Sequence, residues 1–270
     1  MTSLGEAFEK ARADGRAALV GYLPAGYPSV TGAIDAIRAM VAGGVDILEI
    51  GLPYSDPLMD GPTIQSAVDQ ALSAGVRTTD VLRTVEAAAG TGVPVLVMTY
   101  WNPIVQYGVG RFATDLASAG GVGLITPDLT PESAGDPGTG DWLTAADETG
   151  LARVFLVAPA STDERIGRVT ALCSGFVYAA STMGVTGTRD QVSDRAPTLV
   201  ARVRAATGLP VGVGLGVSTG DQAAQVASYA DGVIVGSAFV RVLLDAPSGA
   251  AGLTAVEALA ADLAAGVRRK

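Results

Sequence analysis

Histidine is absent from all 270 residues, and lysine occurs only as Lys10 and Lys270, near the two ends. There is one cysteine, Cys173, and aromatic residues make up only 5%. Without histidine and with one cysteine, a zinc site of the usual Cys/His types cannot be assembled, and no metal is expected. Ser-His and Cys-His nucleophilic machinery is excluded for the same reason. No lysine lies mid-chain to form a Schiff base or to hold pyridoxal phosphate, so no cofactor is expected in this chain. Proton transfer must therefore rest on Asp, Glu or Tyr. Cations are scarce, 18 Lys and Arg against 27 Asp and Glu, giving a net charge of −9 and a pI of about 4.5. That balance argues against a nucleic-acid partner, which calls for a basic face. The only basic cluster is Arg268, Arg269 and Lys270. The first residues mix Glu6, Glu9, Lys10, Arg12 and Asp14 and lack a signal-peptide core. No long uncharged apolar run suggests a bilayer span. A lone cysteine forms no internal disulfide and fits a reducing compartment, so a soluble cytoplasmic protein is expected.

What remains is an apolar chain, 49% hydrophobic, long enough for one large domain over residues 1–270. Short runs rich in Val, Ile and Leu recur at Ala18–Leu23, Asp46–Ile50, Pro94–Thr99, Val122–Ile125, Val154–Val157, Phe176–Ala180, Val211–Gly214 and Gly232–Val235. Such runs read as parallel strands buried on both faces. Ala-rich amphipathic stretches lie between them, at Val30–Val41, Pro62–Ala74, Phe112–Ala119, Asp163–Leu172, Thr198–Ala206 and Thr219–Ala227. The alternation predicts a single-domain (β/α)8 TIM barrel with an extra N-terminal helix; a doubly wound open sheet is the alternative. The Gly- and Pro-rich Ser133–Gly140 segment reads as an exposed loop.

The segment Glu49–Pro62 concentrates the chemistry. Strand alternation puts Ile47 and Glu49 on one face and Leu48 and Ile50 on the other, so Glu49 points into the barrel if Leu48 and Ile50 face the helices. A buried carboxyl costs free energy without a partner or a role; here the competing reading is a Glu satisfied by neighbouring hydroxyls. Pro53, Pro57 and Pro62 stiffen a loop holding Asp56 and Asp60. Taken singly, Asp60 reads as a turn or cap residue and Asp56 as part of an Asp-Pro turn. Gly212–Ser218 and Val235–Ala238 follow the seventh and eighth strands, where barrels often bind phosphate on backbone N–H groups and helix N-termini. Met183–Arg189, with Gly184 and Gly187, reads as a lid over the mouth or as an ordinary loop. Tyr22, Tyr100, Asn102 and Tyr178 stand near strand ends, as pocket walls or as rim packing.

Leu48-Glu49-Ile50-Gly51-Leu52-Pro53-Tyr54-Ser55-Asp56-Pro57, Asp60-Gly61-Pro62-Thr63-Ile64-Gln65 and Gly184-Val185-Thr186-Gly187 closely resemble the tryptophan synthase alpha subunit family, over nearly the whole chain. The resemblance implies a (β/α)8 barrel lyase cleaving indole-3-glycerol phosphate to indole and glyceraldehyde 3-phosphate. It implies a beta subunit partner, in an alpha-beta-beta-alpha complex, that carries pyridoxal phosphate and makes L-tryptophan from the indole. It assigns catalysis to Glu49 and Asp60, phosphate binding to Gly187, Gly216, Gly236 and Ser237, and the lid to Gly184 and Thr186, with Thr186 bonded to Asp60 on closure. Its indole pocket maps to Tyr22, Tyr100, Leu124, Pro127, Asp128, Tyr178 and Leu215, and its partner surface to Asp56 and Pro57. Met59, Leu215 and the pair Thr182-Met183 depart from the residues common in the family. An activator subunit with weak catalysis and a free-standing lyase that releases indole are the competing readings.

Overall fold

The computed structural model describes residues 3–180, 195–214 and 216–269. Eight strands, β1 (Ala18–Pro24), β2 (Ile47–Gly51), β3 (Val95–Met98), β4 (Gly123–Thr126), β5 (Ala152–Val157), β6 (Val177–Ala180), β7 (Val211–Gly214) and β8 (Gly232–Val235), close into one barrel in chain order. All neighbours run parallel, and β8 returns to β1 through Ala18 opposite Gly232. Each strand lies within two residues of its predicted run. The helices before the fourth strand are α1 (Leu4–Ala13), α2 (Val30–Ala42), α3 (Pro62–Ser73), α4 (Thr78–Ala89), α5 (Trp101–Tyr107) and α6 (Val109–Ser118). After it come α7 (Pro131–Ala134), α8 (Trp142–Thr149), α9 (Asp163–Leu172), α10 (Arg195–Ala206), α11 (Gly220–Ala227), α12 (Ser237–Leu244) and α13 (Gly249–Val267).

Strand alternation divides the core in two. Ala18, Val20, Ile47, Leu96, Ile125, Val154, Phe176 and Ile234 fill the lumen together with Leu4, Ala7, Phe8 and Ala11 of α1. The predicted extra helix is therefore a plug for the N-terminal mouth. Its start is set by a reciprocal cap, Glu6 N–H to Ser3 Oγ at 3.2 Å and Ser3 N–H to Glu6 Oε2 at 2.6 Å. Phe8 packs on Phe176 with centroids 5.6 Å apart. Leu48, Ile50, Val97, Leu124 and Phe155 belong to the larger cluster shared with the helices. At the same end Arg16 forks onto Asp46, at 2.6 and 3.0 Å, while Asp46 also accepts the Leu19 N–H at 2.8 Å. This ion pair pins β1 against the start of β2.

Three points differ from the sequence reading. α4, α5 and α8 were not anticipated. The 133–140 stretch is partly ordered helix: α7 runs into it, Ala134 is buried, and Pro137–Thr139 forms a 3-10 turn. α13 is long and apolar enough to cross a membrane by length and composition, contrary to expectation. Here it buries Val256, Ala260, Leu263 and Val267 along one face and packs on α2, α11 and α12, which is how a core helix disposes of such a surface.

Candidate active site

Glu49 shares the lumen-facing parity of Ile47 and sits in register with Tyr22 on β1 and Leu96 on β3. It has 0% exposure, and neither carboxyl oxygen has a hydrogen-bond partner among the described residues. The reading of a Glu satisfied by hydroxyls is thus not met; the buried hydroxyls of Thr99 and Thr126 are themselves unpartnered. Loss of water with no compensating bond pushes the Glu49 carboxyl up to about 8. A group poised there exchanges protons readily near neutrality.

Asp60 lies just ahead of α3, whose cap is Gly61 and whose first residue is Pro62. It is half-buried, and burial raises its carboxyl above the usual range, opposed by a hydrogen bond from the Tyr100 hydroxyl. The same tyrosine oxygen accepts the Met59 N–H at 2.9 Å, and Gln65 Nε2 donates to the Asp60 carbonyl at 2.7 Å. The loop tip is therefore held on both sides, and Met59, the unexpected residue there, contributes its backbone. Tyr100 is held in turn. It caps α5, and both oxygens of Asp128 accept the Trp101 N–H, at 2.9 and 3.1 Å.

Tyr22, Asp60, Tyr100 and Pro127 converge on one cavity, joined by Leu52, Val68, Met98 and Thr99. Those last four were not anticipated, although Met98 follows Leu96 at the lumen-facing spacing of the third run. Tyr178 faces the lumen from β6, its ring 6.3 Å from Phe176. Two placements differ from expectation. Leu124 pairs with Val97 in the helix-facing layer, because its neighbour Ile125 takes the lumen side, so it does not wall the pocket. Asp128 is committed to capping α5 and lies outside the cavity lining. Asn102 bonds Tyr54 at 3.3 Å, away from the cavity.

At the end of β8, Gly236 caps α12 and buried Ser237 opens it. Gly236 also touches Tyr22: a Cβ there would meet the ring at 3.1 Å. Gly216, beyond β7, has φ +69°, a conformation that favours glycine. Asp56 accepts the Ser55 hydroxyl at 2.6 Å on an outer loop beside Leu58, which is 73% exposed. Gly184, Thr186, Gly187 and Leu215, with the departures Thr182 and Met183, lie outside the described residues.

Comparison with known proteins follows the same lines. A family profile described as tryptophan synthase alpha chain matches residues 8–268. The tryptophan synthase alpha chain of Salinispora arenicola is 62% identical over 268 residues, covering 99% of this chain and 98% of that one. That of Acidothermus cellulolyticus is 61% identical over 269 residues, covering 100% and 98%. Among solved structures, Mycobacterium tuberculosis tryptophan synthase superposes with a TM-score of 0.91 at 55% identity, over 99% of both chains.

Proposed function

The chain belongs to the tryptophan synthase alpha chain family, and from that premise we propose that Glu49 and Asp60 divide its acid–base chemistry between them. The protein is a carbon–carbon lyase of tryptophan biosynthesis, cleaving indole-3-glycerol phosphate to indole and glyceraldehyde 3-phosphate. The observation that carries the assignment is the Glu49 carboxyl, fully buried and unpartnered, which burial pushes up to about 8.

Cleavage requires indole C3 to gain a proton and the adjacent glycerol hydroxyl to lose one. Protonated Glu49 delivers the first, leaving a C2=N iminium in the ring. The Asp60 carboxylate accepts the ring N–H bond and stabilises the positive charge that grows there. Glu49, now a carboxylate, takes the hydroxyl proton. The O–H electrons form the aldehyde C=O, the carbon–carbon bond breaks, and its electrons restore the aromatic ring. The ring nitrogen is the electron sink, which is why neither histidine nor a lysine Schiff base is needed. Tyr22, Tyr100, Pro127 and Tyr178 would bound the indole, and Gly216, Gly236, Ser237 and Gly187 would hold the phosphate, with Gly184 and Thr186 closing over it.

The family name and the solved complex it resembles support a beta subunit as partner. The finer reading is an alpha-beta-beta-alpha complex, with pyridoxal phosphate in the beta subunit and docking through the Asp56-Pro57 loop. A cytoplasmic site of action accords with the single cysteine, which is free and buried. The test is Glu49→Gln assayed for indole release, alone and with a beta subunit. Turnover should fall by about 10²–10⁴-fold; near-wild-type cleavage would overturn the assignment.

A further inference from the structure

We propose that Arg241 is a positioning residue for the cleavage reaction, tying the helix on the phosphate side of the site to the segment that carries Asp60. The Arg241 Nη2 donates to Thr63 Oγ1 at 2.6 Å, a side-chain bond between residues 178 apart in sequence. Arg241 stands four residues after Ser237, one turn down α12 and so on the same face as the residue that opens it. Thr63 is the second residue of α3, three beyond Asp60, and only 7% exposed.

The bond's placement argues for a specific purpose. A cation in the last turn of α12 suits that helix's dipole, but the first turn of α3 is the positive end of its own dipole and repels positive charge. Arg241 faces that turn through one buried hydroxyl. From Thr63 the connection to Asp60 is short and stiff. Gln65 N–H donates to the Gly61 carbonyl at 2.9 Å, and the Gln65 side chain donates to the Asp60 carbonyl at 2.7 Å. Tyr100 restrains the same loop from the β3 side. Movement of α12 is therefore handed through Arg241 and Thr63 to the Asp60 carboxylate. Tyr22, wedged between Gly236 and Gly51, makes a second crossing between the same two sides. This coupling rests on the reading above that Gly236 and Ser237 hold the phosphate: the anion would set α12, and α12 would set Asp60.

The test uses the full chain, with a tryptophan synthase beta subunit present, and compares Thr63→Val, Thr63→Ser, Arg241→Met and Arg241→Lys. Each is measured for kcat and KM with indole-3-glycerol phosphate, for inhibition by glycerol 3-phosphate, and for its urea midpoint. Thr63→Val and Arg241→Met should lower kcat about tenfold, since small misplacements of a reacting group are costly. KM and the glycerol 3-phosphate inhibition constant should stay within about twofold of wild type. Thr63→Ser and Arg241→Lys keep a hydroxyl and a cation and should recover most of kcat. The Val/Met double variant should be no worse than the poorer single one, as expected of one shared bond. Wild-type kcat in both Thr63→Val and Arg241→Met overturns the proposal, as does a kcat loss matched by a fallen urea midpoint. If glycerol 3-phosphate fails to inhibit wild type and Ser237→Asp leaves KM unchanged, the phosphate reading falls and the coupling with it. Inhibition of wild type alongside fully active Thr63→Val and Arg241→Met sinks the coupling alone.

Discussion

Replacing Glu49 by Gln should make the protein more stable, and increasingly so as pH rises. In the unfolded chain this carboxyl titrates near its ordinary value of about 4.3. In the fold, burial without a partner pushes it up to about 8. Between those limits the native state holds a proton that the unfolded state has released. Linkage then gives stability a negative slope with pH, approaching about 1.4 kcal/mol per pH unit from this group alone. The stability is fully present below the unfolded pKa and is lost as pH climbs through the folded one. Across the whole interval the loss reaches roughly 5 kcal/mol, a large share of a typical domain's 5–15 kcal/mol. Gln has nearly the same shape and never ionises, so it escapes this cost. The assay is urea unfolding of wild type and Glu49→Gln at intervals from pH 5 to 9. In the difference between the two curves the other titrating groups, Asp60 among them, largely cancel. The gap should widen by several kcal/mol from pH 5 to 8 and then level off. Parallel curves would refute the reasoning, for they would mean that Glu49 titrates alike in the folded and unfolded chains. Stability gained where turnover is lost is what a site held in functional strain should show.

Tyr100→Phe removes both the acceptor of the Met59 N–H and the donor to Asp60. Indole release should slow by about tenfold, and an unchanged rate would show that the loop is held by other means. Gly214→Ala would set a Cβ 2.5 Å from the Tyr178 hydroxyl. A loss of roughly 1–3 kcal/mol in urea unfolding is expected, as for other overpacked sites, and adding Tyr178→Phe should restore part of it. Asp46→Asn weakens the partner of the nearly buried Arg16 at the opposite end of the barrel. It should cost roughly 1–3 kcal/mol of stability while leaving turnover at saturating substrate unchanged; a drop in kcat would tie that ion pair to the site.

The barrel was legible because most strands are short runs rich in Val, Ile and Leu and buried on both faces, a pattern that helices of this chain do not share. Glu49 was legible by alternation alone: with Leu48 and Ile50 packed under the helices, the lumen was its only direction. The same rule applied at β4 turns Leu124 outward, since Ile125 fills the lumen. α5 escaped notice because it opens Trp101-Asn102-Pro103 straight off a strand and draws its cap from Asp128, 27 residues away. The bond from Trp101 N–H to Asp128 was invisible for the matching reason, being set by tertiary structure. Arg241 carried no local signal at all. A single cation in an otherwise apolar helix reads as a solvated end, and its acceptor lies 178 residues earlier.

The glycines around the mouth explain how a carboxyl can be kept dry in an enzyme that must admit a substrate. Tyr22 lies with its hydroxyl against Gly51 and its ring against Gly236, and Tyr178 has its hydroxyl against Gly214. Burial is the main reason that both hydroxyls stay protonated, reinforced at Tyr22 by the charge of Asp60 and at Tyr178 by any charge on Glu49. Both tyrosines fit against backbone that carries no side chain, at the ends of β2 and β7 and at the cap of α12. A methyl at any of these glycines would displace a ring, let water reach Glu49, and draw its carboxyl back toward the ordinary range. Glu49 would then be ionised at neutral pH, and on the proposed mechanism indole release should slow, which an assay of Gly214→Ala checks.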